Sequence, residues 1–242
     1  MRTTQRLDKI LSNSGYGTRR EIKQLLKDGL VAVDGTVVKD GSTHVDPAGS
    51  KIEVCGDLLN YREFIYLMMN KPDSVISATF DNKLKTVADI LPEKYRNFEL
   101  FPAGRLDIDT EGLLLMTNDG QLAHNLLSPK KHVPKKYFSI IDSKVTEEDI
   151  EKFGDGITLE DGYKTMPAEL VVLNDGDLSE IELIIHEGKF HQVKRMFEAV
   201  GKRVKYLKRI EMGTLKLDES LSPGECRELT DEEVNLLKQI DK

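Results

Sequence analysis

The chain has 242 residues, of which 39% are hydrophobic and 32% charged, with a formal net charge of −7, two cysteines and no tryptophan. That length allows one large domain or a small one beside a larger one, and the composition suits a soluble globular protein with a sizeable core. There is no apolar run of about 18 residues to span a membrane, no apolar leader after Met1, and Cys55 and Cys226 stand too far apart for a metal-type cluster, so a cytoplasmic protein without disulfides is expected.

Leu7, Ile10 and Leu11 recur at helical spacing, and Gly15-Tyr16-Gly17 ends that helix. Thr18-Arg19-Arg20-Glu21 has the spacing of a capping box, so a second helix starts there. Its buried face is Ile22, Leu25 and Leu26. Arg19, Lys23 and Lys27 recur every four residues on another face, and Gly29 stops the helix. Residues 31–38 read as a β-hairpin turning at Asp34-Gly35, and 51–54 as a further strand. Helix, basic helix and hairpin make a module over residues 1–58, too small for an extensive core of its own. Gly56–Tyr61 reads as a linker, and a second domain is expected over 62–242.

The second part predicts strands over 64–69, 113–116, 137–141, 169–173, 181–185, 204–210 and 214–217. Helices are predicted over 87–91, 121–127, 147–153, 190–200 and 231–239. Thr146 and Thr230 stand at capping-box spacing from Asp149 and Glu233. Strands cluster without regular βαβ alternation, so the expected class is α+β with a mixed, mainly antiparallel sheet.

The net negative charge is unevenly spread. Residues 1–30 carry seven Lys/Arg, among them Arg2, Arg6, Lys9 and Arg20, against three acids. Residues 128–137 carry four lysines and no acid, residues 186–210 carry eight Lys/Arg against two acids, and residues 141–185 carry thirteen acids against three lysines. Segregated basic patches can bind phosphates on an acidic protein, because the local field decides the contact; ordinary solvated faces explain the pattern equally well.

Three stretches could carry chemistry. In Gly104-Arg-Leu-Asp-Ile-Asp-Thr-Glu-Gly112, the charged Arg105, Asp107, Asp109 and Glu111 crowd the approach to an apolar strand. Extended backbone would put Arg105, Asp107 and Asp109 on one side; a solvated turn with local ion pairs is the plain alternative. In residues 186–197, Phe190, Val193, Met196, Phe197 and Val200 form a core stripe from which His191, Lys194 and Arg195 fall away. His186 and His191 lack a third ligand, which argues against a metal. In residues 128–139, Tyr137 follows a lysine-rich loop, an arrangement that can stack a base while holding its phosphates.

Four ordered motifs then carry a family resemblance. Gly-Arg-Leu-Asp-x-Asp-Thr-x-Gly-Leu-x-Leu-x-Thr-x-Asp-Gly at 104–120, Lys135-x-Tyr137, and Glu187-Gly-Lys-x-His-Gln-Val-Lys-Arg-Met-Phe197 resemble the signatures of RsuA-type ribosomal RNA pseudouridine synthases. Residues 6–38 are similar to the α-L RNA-binding module. The likeness runs from Arg6 to about Leu229, and Asn70-Lys-Pro72, Ser128-Pro129, Pro167-Ala168 and Gly224-Glu225 favour the RsuA type. Two positions depart from it: Ser74 stands where glycine is common, and Cys226 where an aromatic is usual.

The resemblance implies isomerisation of uridine to pseudouridine in small-subunit (16S) ribosomal RNA, with no cofactor and no metal. It implies a cytoplasmic monomer without membrane association. Its partner would be ribosomal RNA, free or in a partly assembled small-subunit particle. Asp107 corresponds to the essential aspartate, Arg105 to the arginine that helps extrude the target nucleotide, Tyr137 to the tyrosine stacked on the base, and Lys194 to the cation paired with the aspartate. Arg6, Lys9, Arg19, Arg20, Lys23 and Lys27 are the expected phosphate contacts of the first module. A base within a stack cannot reach a carboxylate and must be flipped out. Asp107 could then attack C1′, attack the base, or remove the C2′ proton. Other readings are a large-subunit RNA enzyme of the same family, a Mg²⁺-dependent enzyme sharing the ion between Asp107 and Asp109, and a non-catalytic RNA-binding assembly protein.

Overall fold

The computed structural model describes residues 4–59 and 61–239; Arg2 and the linker residue Asn60 lie outside the described residues. The chain divides into two compact units. One runs to Ile65 and takes in Leu91–Phe101; the other holds Tyr66–Ile90 and the chain from Pro102 onward. Residues 91–101 thus cluster with the first unit. They form a 3-10 helix, Glu93–Phe98, packed on the first α-helix, with Tyr95 and Leu100 buried.

The first unit comprises β1 (Gln5–Arg6), α1 (Leu7–Asn13), α2 (Arg19–Lys27), β2 (Val31–Val33), β3 (Thr36–Val37), β4 (His44–Val45), β5 (Ile52–Val54) and β6 (Asp57–Leu58). The capping box of α2 forms as expected: Glu21 N donates to Thr18 Oγ1 at 3.4 Å, and Thr18 N donates to Glu21 Oε2 at 2.7 Å. The β2–β3 hairpin turns on Asp34 and Gly35, both at positive φ. Leu7, Ile10, Leu11, Ile22, Leu26, Val31, Ile52 and Val54 close its small core. The expected linker is partly ordered structure, because Asp57 and Leu58 pair with β5 across a Cys55-Gly56 turn. Neither β1 nor β4 has enough residues to leave a periodic signal.

From Tyr66 onward come β7 (Tyr66–Lys71), β8 (Phe101–Pro102), β9 (Glu111–Thr117), α3 (Gly120–Leu127), β10 (Lys135–Ile141), α4 (Glu147–Asp155), β11 (Glu169–Asp175), β12 (Ser179–Ile185), α5 (Gln192–Ala199), β13 (Val204–Met212), β14 (Leu215–Lys216), β15 (Cys226–Glu228) and α6 (Asp231–Lys238). The main sheet runs β11-β12-β10-β13-β9-β7-β15. Along that path only β13 and β9 are parallel, so the mixed, mainly antiparallel expectation holds. Their close approach explains the glycine of the 104–120 motif. A Cβ on Gly112 would collide with the Arg209 carbonyl oxygen.

Two expected elements differ. Residues 87–91 form a turn: Thr86 and Asp89 cap it reciprocally, but Pro92 disfavours helix at Leu91 and ends it. The helix expected from Phe190 starts at Gln192, because His191 takes a left-handed backbone with φ 49°. Phe190 therefore leaves the core stripe and stands 76% exposed.

What positions the segment around Asp107 is a buried cation. Lys71, at the end of β7, is fully buried, and its Nζ donates to the carbonyls of Pro72 (2.9 Å), Ile108 (3.1 Å) and Thr110 (2.9 Å). Three protons meet three acceptors, so the ammonium is satisfied without a carboxylate. Burial nonetheless lowers its pKa to about 8, against the opposing pull of Asp73, Asp109, Glu111 and Asp107. Ser77 clasps the same segment from both sides: its Oγ donates to Leu106 O at 2.9 Å and accepts from Leu106 N at 3.0 Å. Ser74 N donates to Ile108 O at 3.0 Å. Ser74 holds φ 61°, the conformation for which glycine is the usual residue at that position.

Lys71→Met keeps the volume and removes the donors. The variant should fold, and the Thr110 and Ser74 amides should exchange faster with solvent. Lys71 binds its proton less well folded than unfolded, so stability attributable to it rises with pH from about 8 toward the ordinary lysine value of 10.5. The stability of wild type relative to Lys71→Met should rise across that window in denaturant titrations; a pH-independent difference contradicts the buried ammonium.

Candidate active site

The segment between Gly104 and β9 is a turn rather than an extended strand, with Thr110 N donating to Asp107 O at 3.1 Å. The turn carries Asp107 and Asp109 toward the same cation. Lys194 Nζ, from α5, lies 3.2 Å from Asp107 Oδ2 and 2.5 Å from Asp109 Oδ1. Glu111, the fourth charge of the crowded stretch, belongs elsewhere: it accepts from Tyr206 Oη at 2.5 Å. Val193, Met196 and Phe197 bury the opposite face of α5, which aims Lys194 at the carboxylates.

Arg105, Asp107 and Tyr137 line one cleft of about 70 Å³, with Leu106, Thr110, Ile185, His191, Val193 and Leu207 among its walls. Alternation along β10 turns Tyr137 into this side of the sheet, where it is nearly buried. Arg105 is exposed at the cleft. All four residues expected from the resemblance therefore converge, although Lys194 and Asp107 are far apart in sequence. His191 joins them, with Nε2 at 3.7 Å from Asp107 Oδ1.

The electrostatics separate the two cations of the region. Burial pulls the Lys194 pKa down, but hydrogen bonds and charge from Asp109 and Asp107 outweigh it and hold the group above the usual lysine value. For Asp109, burial acts upward and is outweighed by the hydrogen bond and charge of Lys194, so its carboxyl stays below the usual range. The cation facing both carboxylates is thus an ammonium from the chain itself.

Sequence reasoning missed several supports. Glu187 is buried and accepts from Tyr163 Oη (2.6 Å), Met166 N (3.0 Å) and Gln192 Nε2 (2.9 Å), tying the start of α5 to the loop before β11. Its place in the 187–197 motif was a signal; its three partners were not readable. Lys71 stood in Asn70-Lys-Pro72 with no local reason to be buried. Two of the lysines before and in β10 are not open to phosphate: Lys135 is buried and donates to Val133 O at 2.7 Å, and Lys136 pairs with Glu182 at 2.6 Å. Burial, with repulsion from Arg209, lowers the Lys135 pKa to about 8.

In the first unit, Arg6, Lys9, Arg19, Arg20, Lys23 and Lys27 are all exposed. Arg6, Lys9, Arg19 and Lys23 line a groove of about 620 Å³ together with Lys39, Asp8 and Asp40. Arg6 is already paired with Asp8 at 2.6 Å. Among the described residues, no three His, Cys, Asp or Glu side chains gather as a metal site, and no helix is long and apolar enough to cross a membrane.

Comparison with known proteins identifies the family. The family model described as RNA pseudouridylate synthase matches residues 65–199, and that described as S4 domain matches residues 5–50. The chain is 55% identical to an uncharacterized RNA pseudouridine synthase of Bacillus subtilis, over 97% of this chain and 98% of the relative. It is 43% identical to ribosomal small subunit pseudouridine synthase A of Vibrio cholerae, over 95% and 97% of the two chains. A crystal structure of a pseudouridylate synthase superposes with a TM-score of 0.68 at 35% identity, covering 96% of this chain and 99% of the other. A family match over more than half the chain, near full-length similarity to two synthases and a shared fold lead to one conclusion: the chain belongs to the RNA pseudouridylate synthase family and carries an S4 domain ahead of the synthase unit.

Proposed function

We propose that the chain converts one uridine of small-subunit ribosomal RNA to pseudouridine, with Asp107 as the catalytic carboxylate. The observation that carries the reading is the cleft lined by Arg105, Asp107 and Tyr137, whose aspartate pairs with Lys194 at 3.2 Å. The choice of small-subunit RNA rests on full-length similarity to the Vibrio cholerae enzyme of that name. The reaction breaks the N1–C1′ bond, turns the uracil, and forms a C1′–C5 bond; C5 gives up its proton and N1 ends protonated. No atom is lost, so water must be kept from the detached base.

Each residue has a part that its position allows. Asp107 acts as an anion, whether as nucleophile or as base, and the Lys194 ammonium compensates its charge. Tyr137 offers a fixed ring against which the uracil stacks. Exposed Arg105, at the mouth, fills the gap the flipped nucleotide leaves in the RNA. The cleft, at about 70 Å³, is narrow and must open as the base enters. The basic S4 face holds phosphates and sets register without choosing the base.

Two outcomes test the reading. Transcripts of 16S and 23S RNA, incubated with the protein and mapped by carbodiimide-primer extension, should show a new stop at one uridine of 16S RNA, with or without EDTA. A stop in 23S RNA alone moves the substrate to the large subunit. No stop in either, with RNA bound, favours the non-catalytic reading, and loss with EDTA favours the metal. Separately, replacing Arg19, Lys23 and Lys27 together with alanine should weaken RNA binding and lower the slope of log K against log salt by about two. An unchanged slope removes this face from the RNA contact.

A further inference from the structure

The Phe190 side chain takes no part in the core. Its ring is 76% exposed, although it lies within the motif that supplies Lys194. Single apolar side chains on a surface are ordinary, and Phe80 is as exposed; what sets Phe190 apart is its stacking on a residue of the cleft. The ring is also held in place. Phe190 and His191 stack with centroids 3.8 Å apart and planes 18° from parallel. His191 takes a left-handed backbone, and its Nε2 lies 3.7 Å from Asp107 Oδ1. One face of the phenyl is therefore covered by imidazole and the other is open. The order outward from the cleft is Asp107, imidazole, phenyl, solvent.

The surroundings favour an anionic partner. Lys189 is exposed next to Phe190 and lines the cleft, with its ammonium 4.6 Å from the Tyr163 ring centroid. Residues 186–210 carry eight Lys/Arg against two acids. Lys194, Arg195 and Lys202 of that stretch are paired with carboxylates, which leaves Lys189 as the cation beside the ring. An open aromatic face beside a cation can bind a single-stranded nucleotide, through stacking of its base and contact with its phosphate.

We infer that the Phe190–His191 pair is a stacking platform for an unpaired RNA base adjacent to the target uridine. The inference rests on the proposed RNA substrate and adds a subsite to it. The base flipped toward Asp107 enters the cleft, and its neighbour in the strand, unstacked by that departure, lands on the open face of Phe190. Stacking accepts any base, so the platform supplies affinity and holds the strand open without reading sequence.

The chain contains no tryptophan, so Phe190→Trp introduces a single reporter at the platform. Its emission should be quenched when a 16S transcript binds, with binding followed independently by filter retention. Phe190→Ala should raise KM for the transcript by about tenfold, with the loss in KM rather than in the saturated single-turnover rate, and Phe190→Tyr should restore it. Unquenched emission on a filter-retained complex overturns the platform, as does failure of the transcript to bind at all; a protein partner at this face predicts the former. A loss confined to the saturated rate also overturns it. Quenching by a transcript in which wild type forms no pseudouridine keeps the platform and rejects the proposed reaction, so the two failures are distinct.

Discussion

A lysine ammonium enclosed by backbone carbonyls holds the turn that carries Asp107. Moving a charge out of water is costly, and Lys71 offsets the cost by giving each of its three protons an acceptor. Two of those acceptors, Ile108 O and Thr110 O, belong to the turn itself. The turn is therefore tied to the end of β7, while Ser77 holds Leu106 just before Asp107. The position of β9, entered directly after the turn, depends on the same anchor, and Gly112 then allows β13 to run close and parallel. The carboxylate is presented from a rigid sheet although it sits on a loop, as a preorganised site requires.

Two lysines near the turn show how partners decide a charge. Lys71 faces neutral carbonyls, and burial lowers its pKa to about 8. Lys194 faces two carboxylates, and they hold its pKa above the ordinary value in spite of burial. The first lysine is a structural tie; the second is an ion-pair partner shared by Asp107 and Asp109. The same logic resolves the acidic overall charge. Thirteen acids fall within 141–185, while Arg6, Lys9, Arg19, Lys23 and Lys39 line the groove of the first unit and Arg105 and Lys189 the cleft.

Much of this was legible from sequence, for physical reasons that differ between elements. The helices α2, α4 and α6 announced themselves by their caps, and the hairpin at Asp34-Gly35 by its turn residues. The motifs placed Asp107, Tyr137 and Lys194, which the fold then brought together. Other features depended on long-range contacts. β15 is three residues long and exists because Cys226–Glu228 find the edge of β7. The helical period included Phe190, but one left-handed residue at His191 removed it from the core. Nothing local marked Lys135 or Lys71 for burial, since a lysine is ordinarily on the surface.

The central claim is that one carboxylate of the pair performs the chemistry while the other only shares its cation. Single-turnover pseudouridine formation in a 16S transcript, measured for Asp107→Asn and Asp109→Asn beside wild type, separates the two. Asp107→Asn keeps the shape and loses the anion, so turnover should fall to near background while RNA affinity stays similar. Asp109→Asn frees Lys194 for Asp107 and should retain most of the rate. Substantial turnover in Asp107→Asn, or equal and severe loss in both variants, would contradict the account.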